Sequence, residues 1–93
     1  MVFSIIILDL HLSSRSLKEK RHILKPLLNR LHKEFNVSAA ELDRQDLWHV
    51  AIVGCALLTN EKEFAGQLLS KIPGFINKSF PDIQITNYSI QYL

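Results

Sequence analysis

The chain has little of several features that mark common classes of enzyme and binding protein. Its 93 residues contain one cysteine, Cys55, and only three glycines. One cysteine excludes an internal disulfide, and without a C-x-x-C pair the iron–sulfur and copper-carrier classes are excluded. The few glycines form no phosphate-cradling loop. We therefore expect no cofactor, and a reducing compartment such as the cytoplasm.

A membrane segment is also missing from the sequence. The apolar run at residues 2–8 is too short to span a bilayer, no basic residue precedes it, and Asp9 ends it. The composition, 47% hydrophobic and 22% charged, is that of a globular protein, and the length predicts one domain over residues 1–93. The net charge of +2 is too small to indicate a nucleic-acid partner by itself.

Residues 15–34 have the clearest helical period in the chain. Ser16 followed by Glu19 forms an S-x-x-E capping box, which predicts a helix that starts at Ser16 and ends near Phe35. Pro26 predicts a kink and not an end, because the apolar phase continues across it. The apolar positions fill one arc of about 140° on a helical wheel: Leu17, Ile23, Leu24, Leu27, Leu28, Leu31 and Phe35.

One flank of the polar side of this helix lacks acidic residues, while Glu19 and Glu34 lie on the other flank. The segment holds 7 of the 11 Lys and Arg residues but only 2 of the 9 acidic ones. An arc from about 40° to 160° holds most of the basic residues and no carboxylate. Such a face is either a solvated lysine-rich surface or an electrostatic footprint for phosphates. The candidate phosphate-binding residues are Arg15, Lys18, Lys20, Arg21, Lys25, His32 and Lys33. The turn before the helix is an alternative anion site, although the capping box occupies some of its N–H groups.

The remaining pattern predicts an α+β, ferredoxin-like fold. Apolar or β-rich runs predict strands at residues 2–12, 36–43, 47–59 and 83–93. A capping box at Asn60 and Glu63 opens a second helix, kinked at Pro73 and ending near Phe80. The order β-α-β-β-α-β predicts a four-stranded antiparallel sheet with strands 1 and 3 central and two helices on one face. Glu41 and Asp43 suit an edge strand, where charge discourages pairing with other chains.

Neither central strand has a polar face. An antiparallel sheet with one solvated face normally alternates apolar and polar residues. Helices on one side only would therefore leave an apolar surface on the other, and a second copy of the sheet is the simplest cover. We expect a homodimer.

The sequence contains no set of residues that is typical of a catalytic site, so we do not expect an enzyme. The strand at residues 47–59 lacks the aromatic signature of RNA-recognition domains, so base stacking on the sheet is not expected. The four histidines have no metal-ligand spacing, and Cys55, in mid-strand, is expected to be an inert core thiol. Asp46, in the hairpin at residues 44–46, and Trp48, two residues further on, stand out. Their ordinary roles would be a turn cap and a core anchor.

Three stretches carry a resemblance that covers the whole chain: SLKEKR at residues 16–21, NVSAAELD at 36–43 and QDLW at 45–48. With them the chain resembles the YlxP-like family of small bacterial proteins. The resemblance implies a ferredoxin-like fold and, from the neighbourhood of the family's genes, a role near ribosomal RNA. The matching hairpin positions are Gln45, Asp46 and Trp48. This sequence departs from the family at His49-Val50, where Gln-Arg is usual.

These observations favour a non-enzymatic ribosome-associated or RNA-binding factor, active in ribosome maturation, that contacts phosphates through its first helix. The alternative is a protein–protein module or homodimer that uses the open sheet face and binds no nucleic acid. Ribosomal RNA or the ribosome is thus the expected partner, with no membrane association.

Overall fold

The computed structural model describes all residues, 1–93. One antiparallel sheet has the strand order β2-β3-β1-β4, so the first and third strands are central, as predicted. The elements follow the predicted ferredoxin-like order, with the second helix in two pieces: β1 Val2–His11, α1 Leu17–Phe35, β2 Ser38–Asp43, β3 Val50–Thr59, α2 Lys62–Leu69, α3 Ile72–Ser79 and β4 Gln84–Tyr92.

Helix α1 begins and ends where local signals place it. The Ser16 hydroxyl accepts a hydrogen bond from the Glu19 backbone N–H at 3.1 Å, which confirms the predicted N-cap. At the other end Asn36 adopts a left-handed conformation with φ of 53° and donates to the His32 carbonyl. The helix continues through Pro26. Its 19 residues make it about 28 Å long, which is enough to cross the sheet.

The second helical region differs from the prediction. Glu61, not Asn60, is the N-cap of α2, and no side-chain cap bond forms there. The break lies at residues 70–71, between α2 and α3, whereas the sequence placed it at Pro73. Pro73 lies in the first turn of α3, where a missing N–H removes no intrahelical bond. A proline therefore marks the start of the new helix and not the interruption.

The core lies between the helices and one face of the sheet. Ile6, Leu8 and Leu10 of β1 are buried against α1 and the α2–α3 pair. Val53 and Cys55 of β3 belong to the same buried cluster. Because one cluster joins the sheet to all three helices, the helices cover a single face, as predicted.

The other face of the sheet, called the open face below, has no covering layer. Its apolar side chains lie on β1, β3 and β2, where Phe3, Leu58 and Leu42 are 41%, 62% and 46% exposed. Leu42 lies over Gly54, and a Cβ at Gly54 would come within 2.6 Å of the Leu42 Cδ1 atom. Strand β4 contributes polar residues to this face: Asn87, Ser89 and Gln91. The predicted uncovered apolar surface is therefore confirmed, over three strands of the four.

Candidate nucleic-acid interface

The outer side of α1 presents an unpaired cluster of cations, called the basic arc below. Lys18, Arg21 and Lys25 recur at helical spacing and are exposed. With His22, Pro26 and Asn29 they line a shallow depression of about 610 Å³ that contains no hydrophobic residue. The two ion pairs of the structure, Lys20–Glu41 and Arg30–Glu34, involve none of these three cations. Their charge is therefore not neutralised within the chain.

Two further predicted cations extend the basic arc. Arg15 lies exposed before the first turn of α1, and Lys33 lies exposed in its last turn. From Lys18 to Lys33 the axial distance is about 22 Å. The arc thus forms a stripe along the helix, as the helical wheel predicts.

Lys20 is not part of this stripe, and its assignment as a phosphate-binding residue is wrong. Its side chain is 2% exposed. The Nζ atom donates to the carbonyl oxygens of Arg44 at 2.7 Å and Leu47 at 2.6 Å, and lies 2.7 Å from Glu41 Oε2. With three oxygen partners inside the protein, this ammonium has no room for a phosphate.

Glu41 is the other half of this buried arrangement. It lies on the core face of β2, opposite Val53, and its interpretation as an edge-strand charge is therefore incomplete. Its Oε2 atom lies within ion-pair distance of Lys20 Nζ, but the angles at this contact do not meet the geometry of a hydrogen bond. Both residues belong to the stretches that carry the family resemblance. The structure explains those stretches in part as one contact that ties α1 to β2 and the following hairpin.

The position of Lys20 on the helical wheel indicates that it is buried, although neighbouring cations in the sequence are exposed. On the wheel used above Lys20 falls near 300°, in the middle of the apolar arc. A lysine at that phase is either snorkelling or paired inside the protein. Glu41 shows a similar pattern. It lies two residues after Ala39, and therefore on the same, inward-facing side of β2.

The hairpin residues have different roles from those predicted. Asp43, not Asp46, caps the turn: its Oδ1 accepts from the Arg44 N–H at 2.7 Å, and Arg44 has φ of 68°. Asp46 is exposed. Trp48 is 47% exposed, so its interpretation as a core anchor is wrong. Its ring lies 4.8 Å from the His49 ring, and its carbonyl accepts a hydrogen bond from the buried Ser14 hydroxyl.

The alternative anion site, at the N-terminus of α1, is already occupied by the chain itself. The Glu19 carboxylate accepts from the Arg15 N–H at 3.3 Å, and the Glu19 N–H is bonded to Ser16. A carboxylate at this end compensates the helix dipole and repels a second anion. The geometry therefore favours the side of α1 over its end.

His32 has a structural contact that the sequence did not indicate. Its Nδ1 lies 2.9 Å from the carbonyl oxygen of Val37, so the protonated nitrogen donates to the segment that follows α1. The residue is exposed, and a phosphate contact would use its other ring nitrogen.

Other chemistry has little support in the structure. No group of three or more His, Cys, Asp or Glu side chains is placed to hold a metal ion. Cys55 is fully buried, and burial raises the pKa of its thiol from 9.0 to about 12, so it remains protonated at neutral pH. No helix has both the length and the apolar character required to cross a membrane.

Comparison with known proteins assigns the chain to a family. Residues 3–90 match the family model described as "Protein of unknown function (DUF503)". The chain is similar to "Uncharacterized protein YlxP" of Bacillus subtilis (strain 168), with 39% identity over 71 residues that cover 76% of each protein.

Two designed proteins are among the solved structures that were found to be similar to this chain. The de novo designed protein Foldit4 superimposes with a TM-score of 0.55 at 16% identity, covering 98% of this chain and 96% of the design. The de novo designed protein LFR1 1, described as having a ferredoxin fold, gives a TM-score of 0.44 at 11% identity, covering 100% of this chain and 83% of that protein. At this identity the likeness to Foldit4 concerns the fold alone. From the family match and the similarity to YlxP, the chain belongs to the YlxP-like DUF503 family.

Proposed function

We propose that the protein is a non-enzymatic factor that binds RNA through the basic arc. The observation that carries the proposal is the exposure of Lys18, Arg21 and Lys25 with no carboxylate of the chain paired to them. Like charges at this spacing repel by a few tenths of a kcal/mol per pair. A phosphate backbone laid along α1 would relieve that repulsion and release its own counterions.

The arc offers point charges and not base readout. Contacts of lysine and arginine to phosphates position a protein on nucleic acid without reading sequence. Binding is then expected to be sequence-tolerant and strongly salt-dependent. Ribosomal RNA is the partner that the family resemblance implies, and a role in ribosome maturation at a cytoplasmic ribosome fits this mode of contact.

A fluorescence-anisotropy titration with a ribosomal RNA fragment tests the proposal. The triple variant K18E/R21E/K25E is compared with K62E/K71E/K78E, which changes the charge equally at three exposed lysines outside α1. We expect the wild-type affinity to fall more than about tenfold between about 50 mM and 200 mM salt. The arc variant should lose binding at low salt, while the control variant should retain most of it.

Two results would reject the proposal. One is the absence of any salt-sensitive complex with the wild-type protein at low ionic strength. The other is an equal loss of affinity in both triple variants, because binding would then follow net charge and not the arc.

The open face supports a second candidate function, self-association. We propose that a second copy of the sheet covers Phe3, Leu42 and Leu58, all large apolar residues that are more than two-fifths exposed. Four strands project roughly 600 Å², and protruding side chains increase the accessible area toward the roughly 800 Å² per partner of a standard interface. The polar residues of β4 would form a rim. Since α1 lies on the opposite face, such a dimer would leave both basic arcs accessible.

Analytical ultracentrifugation tests this second proposal. The variant F3E/L58E places charge on the open face, and F64E serves as control because Phe64 is 51% exposed on α2. We expect dimers for the wild type and F64E and monomers for F3E/L58E. A monomeric wild type at high micromolar concentration would contradict the proposal.

A further inference from the structure

A groove lies on the inner flank of the basic arc, between α1 and β2. Arg21, Lys25 and Asn29 line both this groove and the outer depression, so they form a ridge between the two. A polyanion held along the ridge would lie directly beside the groove. What the groove can accept therefore bears on what kind of RNA the arc binds.

The groove has the size and composition of a small-molecule site. It has a volume of about 610 Å³, within the range of about 300–1,000 Å³ that is usual for ligand pockets. Four of its ten lining residues are hydrophobic, and Leu28 and Ala39 contribute partly buried apolar surface. Glu41 also lines the groove, but its charge is paired with Lys20, so Arg21 and Lys25 supply the unpaired charge. Apolar surface beside these two cations suits a ligand with a flat apolar body and a negative charge at its edge.

Two side-chain amides lie at the groove, one from each wall. Asn29 belongs to α1 and Gln45 to the hairpin after β2, and both are exposed. The hairpin is anchored from below by Lys20, whose Nζ bonds the carbonyls of Arg44 and Leu47 on either side of Gln45. Each amide can both donate and accept, which matches the mixed edge of a nucleobase.

We propose that the groove holds an unpaired base of single-stranded RNA while the neighbouring phosphates lie on Arg21 and Lys25. This inference rests on the proposed function and specifies its substrate class. No aromatic residue lines the groove, so the base packs on Leu28 and Ala39 and beneath the planar Arg21 guanidinium. Asn29 and Gln45 meet its edge.

The cationic rim would also suit an acidic peptide. RNA is favoured because the cations continue beyond the groove, from Arg15 to Lys33, as a stripe that a repeating phosphate backbone would follow. Two amides that face one apolar slot also fit a base better than a carboxylate side chain.

The proposal predicts that the protein prefers single-stranded RNA to duplex RNA. A site that acted by electrostatics alone would show the opposite preference. Duplexes have the higher charge density and the steeper salt response, so a purely electrostatic site would favour them over single strands. A base-accepting groove should instead bind a single-stranded 12-mer about tenfold more tightly than the same sequence in a duplex. Titrations of both RNAs with the wild type measure this ratio.

Neutral variants of the groove give the matched test. N29A/Q45A removes two exposed amides without changing charge, and Q67A/N77A removes two exposed amides elsewhere. We expect the single-strand preference to fall about fivefold or more in N29A/Q45A only, with duplex affinity unchanged. In NMR spectra the side-chain NH₂ resonances of Asn29 and Gln45 should shift with single-stranded RNA and not with duplex.

The outcomes separate the groove from the arc. Equal, salt-sensitive binding of both RNAs, lost in K18E/R21E/K25E, would overturn the groove proposal and support the proposed function. Binding of neither RNA would overturn both. If a glutamate-rich peptide shifts the two amide resonances and single-stranded RNA does not, the ligand class proposed for the groove is wrong.

Discussion

Helix α1 carries lysines on two sides, and the two sides differ in burial and in hydrogen-bond partners. Lys18 is exposed and has no carboxylate partner, whereas Lys20, two positions later, is 2% exposed and has three oxygen partners. The two residues are chemically identical. The difference shows that helical phase relative to the sheet, and not the local density of charge, decides which cations are available to a ligand.

The energetic consequences are opposite on the two sides. A buried charge is tolerated only while its partners remain, and removing one partner costs about 3–5 kcal/mol. Exposed cations add little to stability and repel one another weakly. Stability should therefore depend on the inner side of α1, and ligand binding on the outer side.

The largest effect is expected from Lys20→Met. The change leaves Glu41 and the carbonyls of Arg44 and Leu47 without their ammonium, so the free energy of unfolding should fall by about 3–5 kcal/mol. Urea denaturation measures it, with Lys18→Met as the control expected to change stability by less than about 0.5 kcal/mol. A similar loss of stability in the two variants would contradict the distinction between the buried Lys20 and the exposed Lys18.

The free energy of unfolding is expected to depend on pH because of the buried thiol of Cys55. Folded Cys55 keeps its proton up to the pKa of about 12, whereas the unfolded thiol ionises near 9.0. The unfolded state therefore holds fewer protons between these values, and stability falls by about 1.4 kcal/mol per pH unit as the pH rises through that window.

Cys55→Ala isolates this contribution from other groups that titrate at high pH. The stability difference between wild type and variant should be constant below pH 9 and should shift in favour of the variant above it. A difference that stays constant to pH 11 would show that the thiol is accessible to solvent.

A smaller effect is expected at the start of α1. Ser16→Ala removes the cap bond to the Glu19 N–H and should lower the free energy of unfolding by about 1 kcal/mol. Thermal denaturation measures it, and Ser13→Ala, at an exposed serine that precedes the helix, is the control. A loss as large as that of Lys20→Met would mean that the inner contact is not the main anchor of α1.

The smallest effect is expected on the outer side. The variant K18Q/R21Q/K25Q should change stability by no more than a few tenths of a kcal/mol, and in the stabilising direction, because it removes like-charge repulsion. Salt should abolish the gain, so urea denaturation at low and high ionic strength measures it. A clear destabilisation would indicate that these cations have partners inside the protein.

The sequence predicts the fold well where local periodicity is strong. The capping box at Ser16, the wheel of α1 and the apolar strands lead to the observed element order. The second helix was less predictable, because Pro73 is a strong break signal by itself but lies at the start of α3, where it is tolerated. The exposed position of Trp48 was missed because size and aromaticity suggest burial, whereas its neighbours place it at a surface.

The candidate site was predictable on its outer side only. Lys18, Arg21 and Lys25 follow from the wheel, because exposure of a helix face depends on the helix and the position of the sheet alone. Lys20 was grouped with them because it is near them in sequence. Its partners are 21 to 27 residues away, and only their meeting in space distinguishes it.

By itself, the sequence determined the order of elements and the two-sided character of α1 and of the sheet, because these depend on periodicity between near neighbours. Only the tertiary structure decided that Lys20, Glu41 and the hairpin carbonyls form one buried contact, and that a groove opens beside the basic arc. Both features arise where α1 packs on β2. The path of the backbone between distant residues, and not local pattern, sets the distances there.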